Sequence, residues 1–373
     1  MTDDPFGVYI HIPFCIRKCR YCSFYSCRQI GLIGDYIDAL ESEIYFYRDT
    51  AREADTVYIG GGTPSVLSLL ETERILSAVY RFYRLTSHPE ITIEANPRDI
   101  TKEYIHGIRQ AGVNRLSLGI QSFEDRELGF LGRRHNEEQA VRSIETAVEA
   151  GIERLNLDII WGLPGQSIKS LLKNLEKAVF FKPGHISAYE LTISEGTPLY
   201  SKLKEGAFKS LCVQEKSDMF YAVSDYLRSE GYVHYEVSNF SLGYKAFSRH
   251  NSRYWNHSPY IGFGPSSHSF DGNRRWWNWP DTIKYISEIK KGLMPVENEE
   301  MLSAEQKATE RLMLGLRTSH GVPVSDLSHT PRNRGMMDML VREEFAVIQE
   351  DRLCPTVKGM LVSDYLPLLF DTL

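Results

Sequence analysis

The sequence predicts an α/β protein: an open six-stranded (β/α)6 partial barrel of the TIM type, followed by a smaller, mostly helical C-terminal domain. Three observations lead to this prediction. Short β-rich segments alternate six times with amphipathic segments, and parallel strands need such helical crossovers. Unusual polar residues accompany the C-terminal parts of successive strands, where barrel enzymes place their chemistry. The alternation then ends near residue 198.

The predicted elements follow one another in strict alternation. Strands are expected at residues 8–11, 56–59, 91–94, 115–120, 154–160 and 185–191, and helices at residues 36–47, 72–83, 102–110, 137–150 and 169–180. Six such units are compatible with a doubly wound sheet or with an incomplete barrel. A single ligand that touches five successive strand ends requires a curved sheet, so the barrel is the prediction.

The second half of the chain has a different rhythm. We expect residues 1–205 to form the barrel and residues 206–373 to form the C-terminal domain, with helices at residues 215–229 and 304–314. The segment 231–279 between these helices is rich in Gly, Asn, His, Tyr and Trp. The helical tail is compatible with a winged-helix arrangement.

Composition limits the function. The chain has 373 residues, of which 42% are apolar and 25% charged, as in ordinary globular proteins. A net charge of -6 disfavours nucleic acid as a partner. No apolar run is long enough to span a membrane, and the first residues lack the order of a secretory signal. The sequence therefore predicts a cytoplasmic location. Thiols stay reduced in that compartment, so the six cysteines are expected to be metal ligands or buried thiols rather than disulfides.

Three cysteines form a C-x3-C-x2-C cluster in the loop after the first predicted strand: Cys15, Cys19 and Cys22. Thiolates are the usual ligands of iron–sulfur clusters, and three of them leave one iron of a four-iron cluster open. A zinc site or three unrelated thiols is the alternative, but zinc sites usually show paired C-x2-C spacing or added histidines. The other three cysteines do not extend the spacing and are predicted to be structural: Cys27, Cys212 and Cys354.

The run YIHIPFCIRKCRYC at residues 9–22 resembles the signature of radical SAM proteins, in which the open iron binds the amino and carboxylate groups of S-adenosylmethionine (SAM). Further matching segments are GGGTPS at 60–65, EANP at 94–97, SLGIQSF at 117–123, LGRRH at 131–135, NLDIIWGLPGQ at 156–166, YEVSNF at 235–240 and RHNSRYW at 249–255. Together they are similar to the group that contains the oxygen-independent coproporphyrinogen dehydrogenases and the HemW-like heme chaperones, with the second family the closer match.

This resemblance implies a [4Fe-4S] cluster on the three cysteines and a set of SAM-binding residues: Tyr9, Tyr21, Gly62, Thr63, Glu94, Gln121, Arg133 and Asp158. Arg133 is suited to pair with the methionine carboxylate. Asp158 lies in an apolar strand, where a lone carboxylate needs a partner, and a buried structural ion pair is its alternative role. For Tyr9 and Tyr21 the alternative is core packing.

Two departures from the dehydrogenase pattern favour the heme chaperones. Phe24 stands where the dehydrogenases have a fourth cysteine, and only fourteen residues precede Cys15, whereas the dehydrogenases carry an N-terminal extension. The resemblance therefore implies a protein that lacks coproporphyrinogen dehydrogenase activity. No catalytic residue is assigned.

The segment HNSRYW implies a third cofactor, heme, because its pattern HNxxYW is associated with heme binding in HemW-like proteins. His250 and Tyr254 are both chemically able to ligate heme iron, although a structural role for His250 is an equal alternative. Trp255, Trp276, Trp277 and Trp279 are predicted to pack in a core.

The functional prediction is a heme chaperone that delivers heme to acceptor proteins, with peripheral contact to membrane-bound acceptors as one option. The alternative is a radical SAM enzyme that acts on a porphyrin or another small molecule, including methyl transfer.

Overall fold

The computed structural model describes residues 5–49, 53–327 and 330–371. Within these ranges the strands are β1 (Phe6–Ile12), β2 (Glu53–Gly61), β3 (Arg84–Ala95), β4 (Arg115–Gln121), β5 (Arg154–Trp161), β6 (His185–Glu190), β7 (Val233–Glu236), β8 (Asn239–Ser241), β9 (Tyr260–Phe263), β10 (His268–Phe270), β11 (Arg274–Asn278), β12 (Val296–Met301), β13 (Val322–Pro323), β14 (Ala346–Gln349) and β15 (Arg352–Pro355). The α-helices are α1 (Ile33–Phe46), α2 (Leu69–Phe82), α3 (Lys102–Gln110), α4 (Asp125–Leu131), α5 (Glu137–Glu149), α6 (Ile168–Phe180), α7 (Pro198–Lys204), α8 (Val213–Ser229), α9 (Arg249–Trp255), α10 (Thr282–Lys290), α11 (Ala304–Gly315), α12 (Pro331–Arg342) and α13 (Val357–Leu361).

The strands β1 to β6 pair in chain order, and every pair is parallel. The complete order of the large sheet is β12-β11-β10-β9-β1-β2-β3-β4-β5-β6-β8-β7, and among the described residues its two outer strands do not pair with each other. The predicted open sheet of six strand–helix units is confirmed. Right-handed crossovers place helices on one face of such a curved sheet and leave the other face as the interior.

Alternation along the strands separates a hydrophobic face from a polar one. In β1, Val8, Ile10 and Ile12 are fully buried and share a hydrophobic cluster with Ile37 and Leu40 of α1. The residues between them therefore point to the opposite face, since successive side chains of a strand alternate. The barrel interior is lined by the polar members of the strands, and this is where ligand chemistry becomes possible.

The helices carry the matching apolar stripes. In α2 the buried residues Thr72, Ile75, Leu76 and Val79 recur at the spacing of one helix face. The helix begins with a capping box, in which the Ser68 hydroxyl accepts from the Glu71 backbone N–H and the Glu71 carboxylate accepts from the Ser68 N–H.

The strands after residue 205 were not predicted. β7 and β8 extend the sheet beyond β6, while β9 pairs in parallel with β1 and leads into the antiparallel strands β10 to β12. A second hydrophobic cluster forms between residues 312 and 370, where α11 and α12 pack with the small sheet of β13 to β15. The predicted helices at 215–229 and 304–314 correspond to α8 and α11. The domain boundary near residue 205 stays a prediction.

None of the helices within the described ranges combines the length and the apolar character that a membrane crossing requires.

Glu43 of α1 is a fully buried carboxylate that holds several elements together. It accepts hydrogen bonds from Asn278 Nδ2 at 2.6 Å, from the Gly264 N–H at 2.8 Å and from the Tyr285 hydroxyl at 2.6 Å. Burial raises the pKa of Glu43 to about 7, although these three donors act in the opposite direction. The folded protein therefore takes up a proton at Glu43 at a pH where the unfolded chain has released it.

We expect this proton uptake to appear in the pH dependence of stability. An acid whose pKa is raised by folding stabilises the fold at low pH, and this contribution is lost as the pH rises from about 4.5 to about 7. Glu43→Gln removes the titration. The unfolding free energy of the wild type minus that of the variant should therefore fall by up to about 3 kcal/mol from pH 4 to pH 8. Urea unfolding at several pH values measures it, with the exposed Glu73→Gln as control. Parallel curves for wild type and Glu43→Gln would refute the assignment.

Candidate functional site

The cysteine loop leaves the barrel at the C-terminal end of β1 and is closed at its base. The Cys15 N–H donates to the Cys27 carbonyl at 2.9 Å, and the Cys27 N–H donates to the Pro13 carbonyl at 2.7 Å. The Tyr25 hydroxyl, which accepts from the Thr282 N–H at 2.6 Å, ties the returning segment to α10. Cys27 thus closes the base of the loop through its backbone, and the structural role of its thiol stays a prediction.

The tip of the loop docks on the C-terminal end of α4. The Arg20 guanidinium donates to the Gly129 and Phe130 carbonyls at 3.1 and 3.3 Å, and the Arg20 N–H donates to the Leu131 carbonyl at 3.0 Å. The last carbonyls of a helix have no partner within the helix and attract a cation. Gly132, with φ of +76°, then ends α4 in the left-handed conformation and turns Arg133 towards the cysteines.

The three cysteine side chains lie on one loop, next to residues from two other strand ends. Cys15 Sγ is 3.3 Å from Thr63 Oγ1, and Arg133 Nη1 donates to Cys19 Sγ at 3.3 Å. Burial raises the pKa of the Cys15 and Cys22 thiols, and the neighbouring Cys19 adds to both shifts. In the described parts of the chain no three His, Cys, Asp or Glu side chains are already arranged around a metal position.

The chemistry of this donor set still fits an iron–sulfur cluster. Its members are three thiols, which is the ligand type of such clusters. Among the described residues the buried Nε of Arg133 has no hydrogen-bond partner, so this guanidinium is able to donate to a ligand oxygen at the cysteine loop. A cationic side chain beside the thiols suits a ligand with negative charge.

The glycine-rich turn after β2 lies directly against the cysteine loop. The Gly62 N–H donates to the Ile12 carbonyl at 2.7 Å. A Cβ at position 62 would lie 2.8 Å from the Phe14 carbonyl oxygen and 2.9 Å from that of Ile12, so only glycine allows this approach. The structure brings Gly62 and Thr63 next to the cysteine loop, and their contact with SAM stays a prediction.

Glu94 stands at the C-terminal end of β3 and faces the interior. It accepts from the Tyr58 hydroxyl at 2.7 Å and from the Gly61 N–H at 3.1 Å. Burial raises the pKa of Glu94 to about 7, and the charge of Asp158 adds to the shift. Glu94 pairs with Ser117 across β3 and β4, and the Ser117 hydroxyl donates to Asp158, so the two carboxylates lie near each other.

Gln121 ends β4 with a φ of +68°, a left-handed backbone conformation that residues other than glycine rarely adopt. The residue is buried, and the pairing of β4 with β5 is irregular between Leu118 and Gln121. Strain of this kind persists where the surroundings impose it, and it concentrates at functional sites. Next to it, Arg133 Nη2 donates to the Gly119 carbonyl at 2.6 Å, which places Gln121 and Arg133 at the same strand end.

Asp158 of β5 is held by neutral donors. Its carboxylate accepts from the Ser117 hydroxyl at 3.0 Å and from Asn156 Nδ2 at 2.8 Å. Burial raises its pKa, while Arg133 opposes this shift from a longer range. The ion pair that was the alternative role for Asp158 is not found among its hydrogen-bond partners.

The two tyrosines near the cysteines have packing partners. The Tyr9 hydroxyl donates to His11 Nδ1 at 3.0 Å, because His11 Nε2 must donate to the Tyr25 carbonyl. The Tyr9 ring also stacks on Tyr58 with centroids 6.2 Å apart. Tyr21 packs against the small apolar cluster around Leu131. Both rings are half-buried, and their contact with SAM stays a prediction.

His250 and Tyr254 lie on α9, and the His250 ring packs beside Tyr9, one of the residues predicted for SAM, with centroids 6.3 Å apart. His250 is fully buried, its Nδ1 is 2.9 Å from Thr56 Oγ1, and its Nε2 is 3.0 Å from the Tyr254 hydroxyl. Its ring stacks on Tyr58 with centroids 5.1 Å apart. Burial raises the pKa of Tyr254, which favours the phenol over the phenolate.

Both ring nitrogens of His250 therefore have protein partners, and ligation of heme iron by His250 requires one of these bonds to break. Ligation by the Tyr254 oxygen is compatible with its hydrogen bond to His250, because a phenolate oxygen accepts from His250 Nε2–H while it binds a metal. The heme role of the two residues stays a prediction. The expected core packing is found for Trp276, which is buried and stacks on Tyr47 at 6.1 Å.

Sequence reasoning assigned no role to four residues at or behind the predicted site. Tyr58 contacts Glu94 and Asn156 contacts Asp158. Behind them His185 contacts Asn156, and Tyr235 contacts His185. Asn156 precedes Asp158 by two positions and so faces the same side of β5. That spacing was a signal available in the sequence. Tyr58 and His185 carry no local pattern. Tyr235 begins the matching segment YEVSNF, but that segment gave no signal for its contact with His185.

Comparison with known proteins agrees with this geometry. The radical SAM superfamily profile matches residues 9–178, and the profile of the HemN C-terminal domain matches residues 302–362. The chain is 36% identical over 329 residues to the heme chaperone HemW of Lactococcus lactis subsp. lactis (strain IL1403), which covers 87% of this chain and 84% of the relative. It is 33% identical over 370 residues to the heme chaperone HemW of Mycobacterium tuberculosis (strain ATCC 25618 / H37Rv), covering 98% and 94%.

A solved structure shares the fold. Coproporphyrinogen III oxidase (HemN) from Escherichia coli, described as a radical SAM enzyme, superposes with a TM-score of 0.84 over 98% of this chain and 90% of its own. The two sequences are 22% identical, so the likeness concerns the fold.

Proposed function

The chain belongs to the radical SAM superfamily and to the family of the HemW proteins, and from this premise we propose that it is a heme chaperone. In this proposal it holds a [4Fe-4S] cluster with SAM, binds heme and passes heme to acceptor proteins. Support comes from relatives of nearly equal length that bear the name heme chaperone.

Cys15, Cys19 and Cys22 would hold the cluster in this proposal. When bound, the cluster supplies a redox centre whose fourth iron is open to SAM. The observation that carries this part is Arg133, which contacts the Cys19 thiol and whose buried Nε has no partner in the described parts of the chain. Its guanidinium would orient the methionine carboxylate through charge-assisted hydrogen bonds.

The remaining residues of the site would recognise the rest of SAM. Glu94 and Asp158 present carboxylate oxygens to the interior and are suited to accept from the ammonium or from ribose hydroxyls. Gly62 and Thr63 allow close approach next to Cys15. Because the interior is buried, each of these interactions is stronger than it would be in water.

The heme part of the proposal rests on the family and on α9. Acceptor proteins would be the partners, and contact with membrane-bound acceptors would be peripheral. We place this activity in the cytoplasm. Nucleic acid has no role in it, which agrees with the net charge of -6.

Spectral titration tests the heme chaperone. The protein should show a Soret change on addition of heme, and Tyr254→Phe should weaken heme binding by about tenfold, equivalent to about 1.4 kcal/mol. The substitution keeps the ring and removes only the hydroxyl that offers a ligand atom. Tyr260→Phe is the matched control, because its ring packs edge-on against Tyr254 at 4.8 Å.

An unchanged spectrum and affinity in Tyr254→Phe and in His250→Gln would remove α9 as the source of the heme ligand. If the wild type binds no heme, the chaperone proposal fails and the radical SAM enzyme acting on a small molecule takes its place.

A further inference from the structure

A chain of buried polar side chains leads away from Asp158 through the barrel interior. Asn156 Nδ2 donates to Asp158 Oδ1 at 2.8 Å, and His185 Nδ1 is 2.5 Å from Asn156 Oδ1. The Tyr235 hydroxyl is 2.6 Å from His185 Nε2, and the Ser248 N–H donates to the Tyr235 oxygen at 3.4 Å. Asn156, His185, Tyr235 and Ser248 are all at least 95% buried.

The direction of every hydrogen bond in this chain follows from its first member. A carboxylate only accepts, so the Asn156 amide must turn its NH2 to Asp158, and its oxygen must accept from His185 Nδ1–H. A neutral imidazole with a proton on Nδ1 accepts at Nε2, so the Tyr235 hydroxyl donates there. Burial lowers the pKa of His185, which keeps the ring neutral. All the donors therefore point towards Asp158.

We propose that Asn156, His185 and Tyr235 are positioning residues that orient the Asp158 carboxylate for SAM, an inference that rests on the proposed function. The Asn156 amide joins Asp158 and Ser117, since its second N–H donates to Ser117 Oγ at 2.8 Å. The amide thus fixes the orientation of the Asp158 carboxylate relative to the polar side chains of β4, β5 and β6.

His185 reinforces the amide orientation that Asp158 requires, because its Nδ1–H donates to the Asn156 oxygen. Without the Nδ1–H, only the Ser187 hydroxyl, at 3.2 Å, still donates to the Asn156 oxygen. A rotated amide would then direct its oxygen at Asp158, and two acceptors would face each other in a region of low dielectric. Aligned hydrogen bonds also polarise one another, so the loss of a distant member weakens the bond at the carboxylate.

Equilibrium dialysis with radiolabelled SAM tests the proposal on protein whose cluster has been reconstituted anaerobically. His185→Phe should weaken SAM binding by about tenfold and Tyr235→Phe by about threefold, with iron content unchanged. The matched control is His234→Phe, because His234 is also buried and precedes Tyr235, but it contacts Ser224 and Val237 outside the chain. His234→Phe should leave the affinity unchanged.

A double-mutant cycle separates positioning from a general structural role. In an Asp158→Ala background, His185→Phe should have no further effect on SAM affinity. Two results would overturn the positioning role while leaving the SAM site intact. In the first, His185→Phe lowers SAM affinity equally in the wild-type and Asp158→Ala backgrounds. In the second, His185→Phe binds SAM like the wild type although Asp158→Ala binds it more weakly. Unchanged affinity in Asp158→Ala would contradict the proposed site itself and the positioning role with it. Should His185→Phe fold poorly, His185→Asn keeps an amide donor near Nδ1, and its affinity should exceed that of His185→Ala.

Discussion

Cys19→Ser is expected to reduce the iron content after anaerobic reconstitution from about four atoms per chain to well below that number, and Cys15→Ser and Cys22→Ser should do the same. Serine does not supply the thiolate that the cluster needs. Within the described loop the remaining cysteine, Cys27, serves at the base through its backbone and cannot replace a lost ligand without opening the pairing with Pro13 and Cys15. Iron and sulfide analysis measures the effect.

Cys27→Ser is the matched control for this experiment. The backbone N–H and carbonyl that close the loop are kept in serine, so the variant should assemble a full cluster. A normal cluster in Cys19→Ser would contradict the assignment of the ligands. Loss of the cluster in Cys27→Ser would show that its thiol has a role beyond the backbone pairing.

The second large effect concerns SAM. Arg133→Ala and Asp158→Ala should each weaken SAM binding by about tenfold or more, because a charged hydrogen bond contributes about 1.5–3 kcal/mol. Iron content should stay the same, since neither residue is a proposed iron ligand. Arg133→Ala also removes a donor to the Cys19 thiol, so the cluster spectrum of this variant should change even though the iron remains.

Arg134→Ala is the control for both variants. Arg134 follows Arg133 directly but pairs with Asp99 at 2.7 Å, outside the cysteine loop. Equilibrium dialysis should find wild-type affinity in this variant. Unchanged affinity in both Arg133→Ala and Asp158→Ala would exclude the two residues from the SAM site.

Periodicity in the sequence was enough to predict the six strand–helix units. The apolar residues of β1 alternate and those of α2 recur at helical spacing, and both patterns arise from burial against a single core. The cysteine loop could also be identified from the sequence, because its three cysteines are close neighbours in the chain. Local spacing carried the information in each case.

The strands after β6 had no comparable signal. β8 and β10 have three residues each, too few to establish alternation. The parallel pairing of β9 with β1 joins residues about 250 positions apart, and no local pattern encodes such a contact. α4 escaped notice for the same reason, since its seven residues make only two turns.

The partners of His250 show the limit of motif reasoning. The four-residue spacing to Tyr254 placed both side chains on one helix face, and they do meet. The motif did not indicate that Thr56 would take the other ring nitrogen, because Thr56 comes from a strand almost two hundred residues earlier. A residue that is able to bind a metal can thus be fully engaged inside the protein.

Electron paramagnetic resonance of the reduced cluster tests the central claim, that the cysteine loop and the barrel interior form one SAM site. If SAM binds to the open iron, its addition should shift the signal of the reconstituted wild-type protein and of Arg134→Ala, and Asp158→Ala should need a higher SAM concentration for the same shift. A four-iron signal that stays the same at saturating SAM in the wild type would contradict the account.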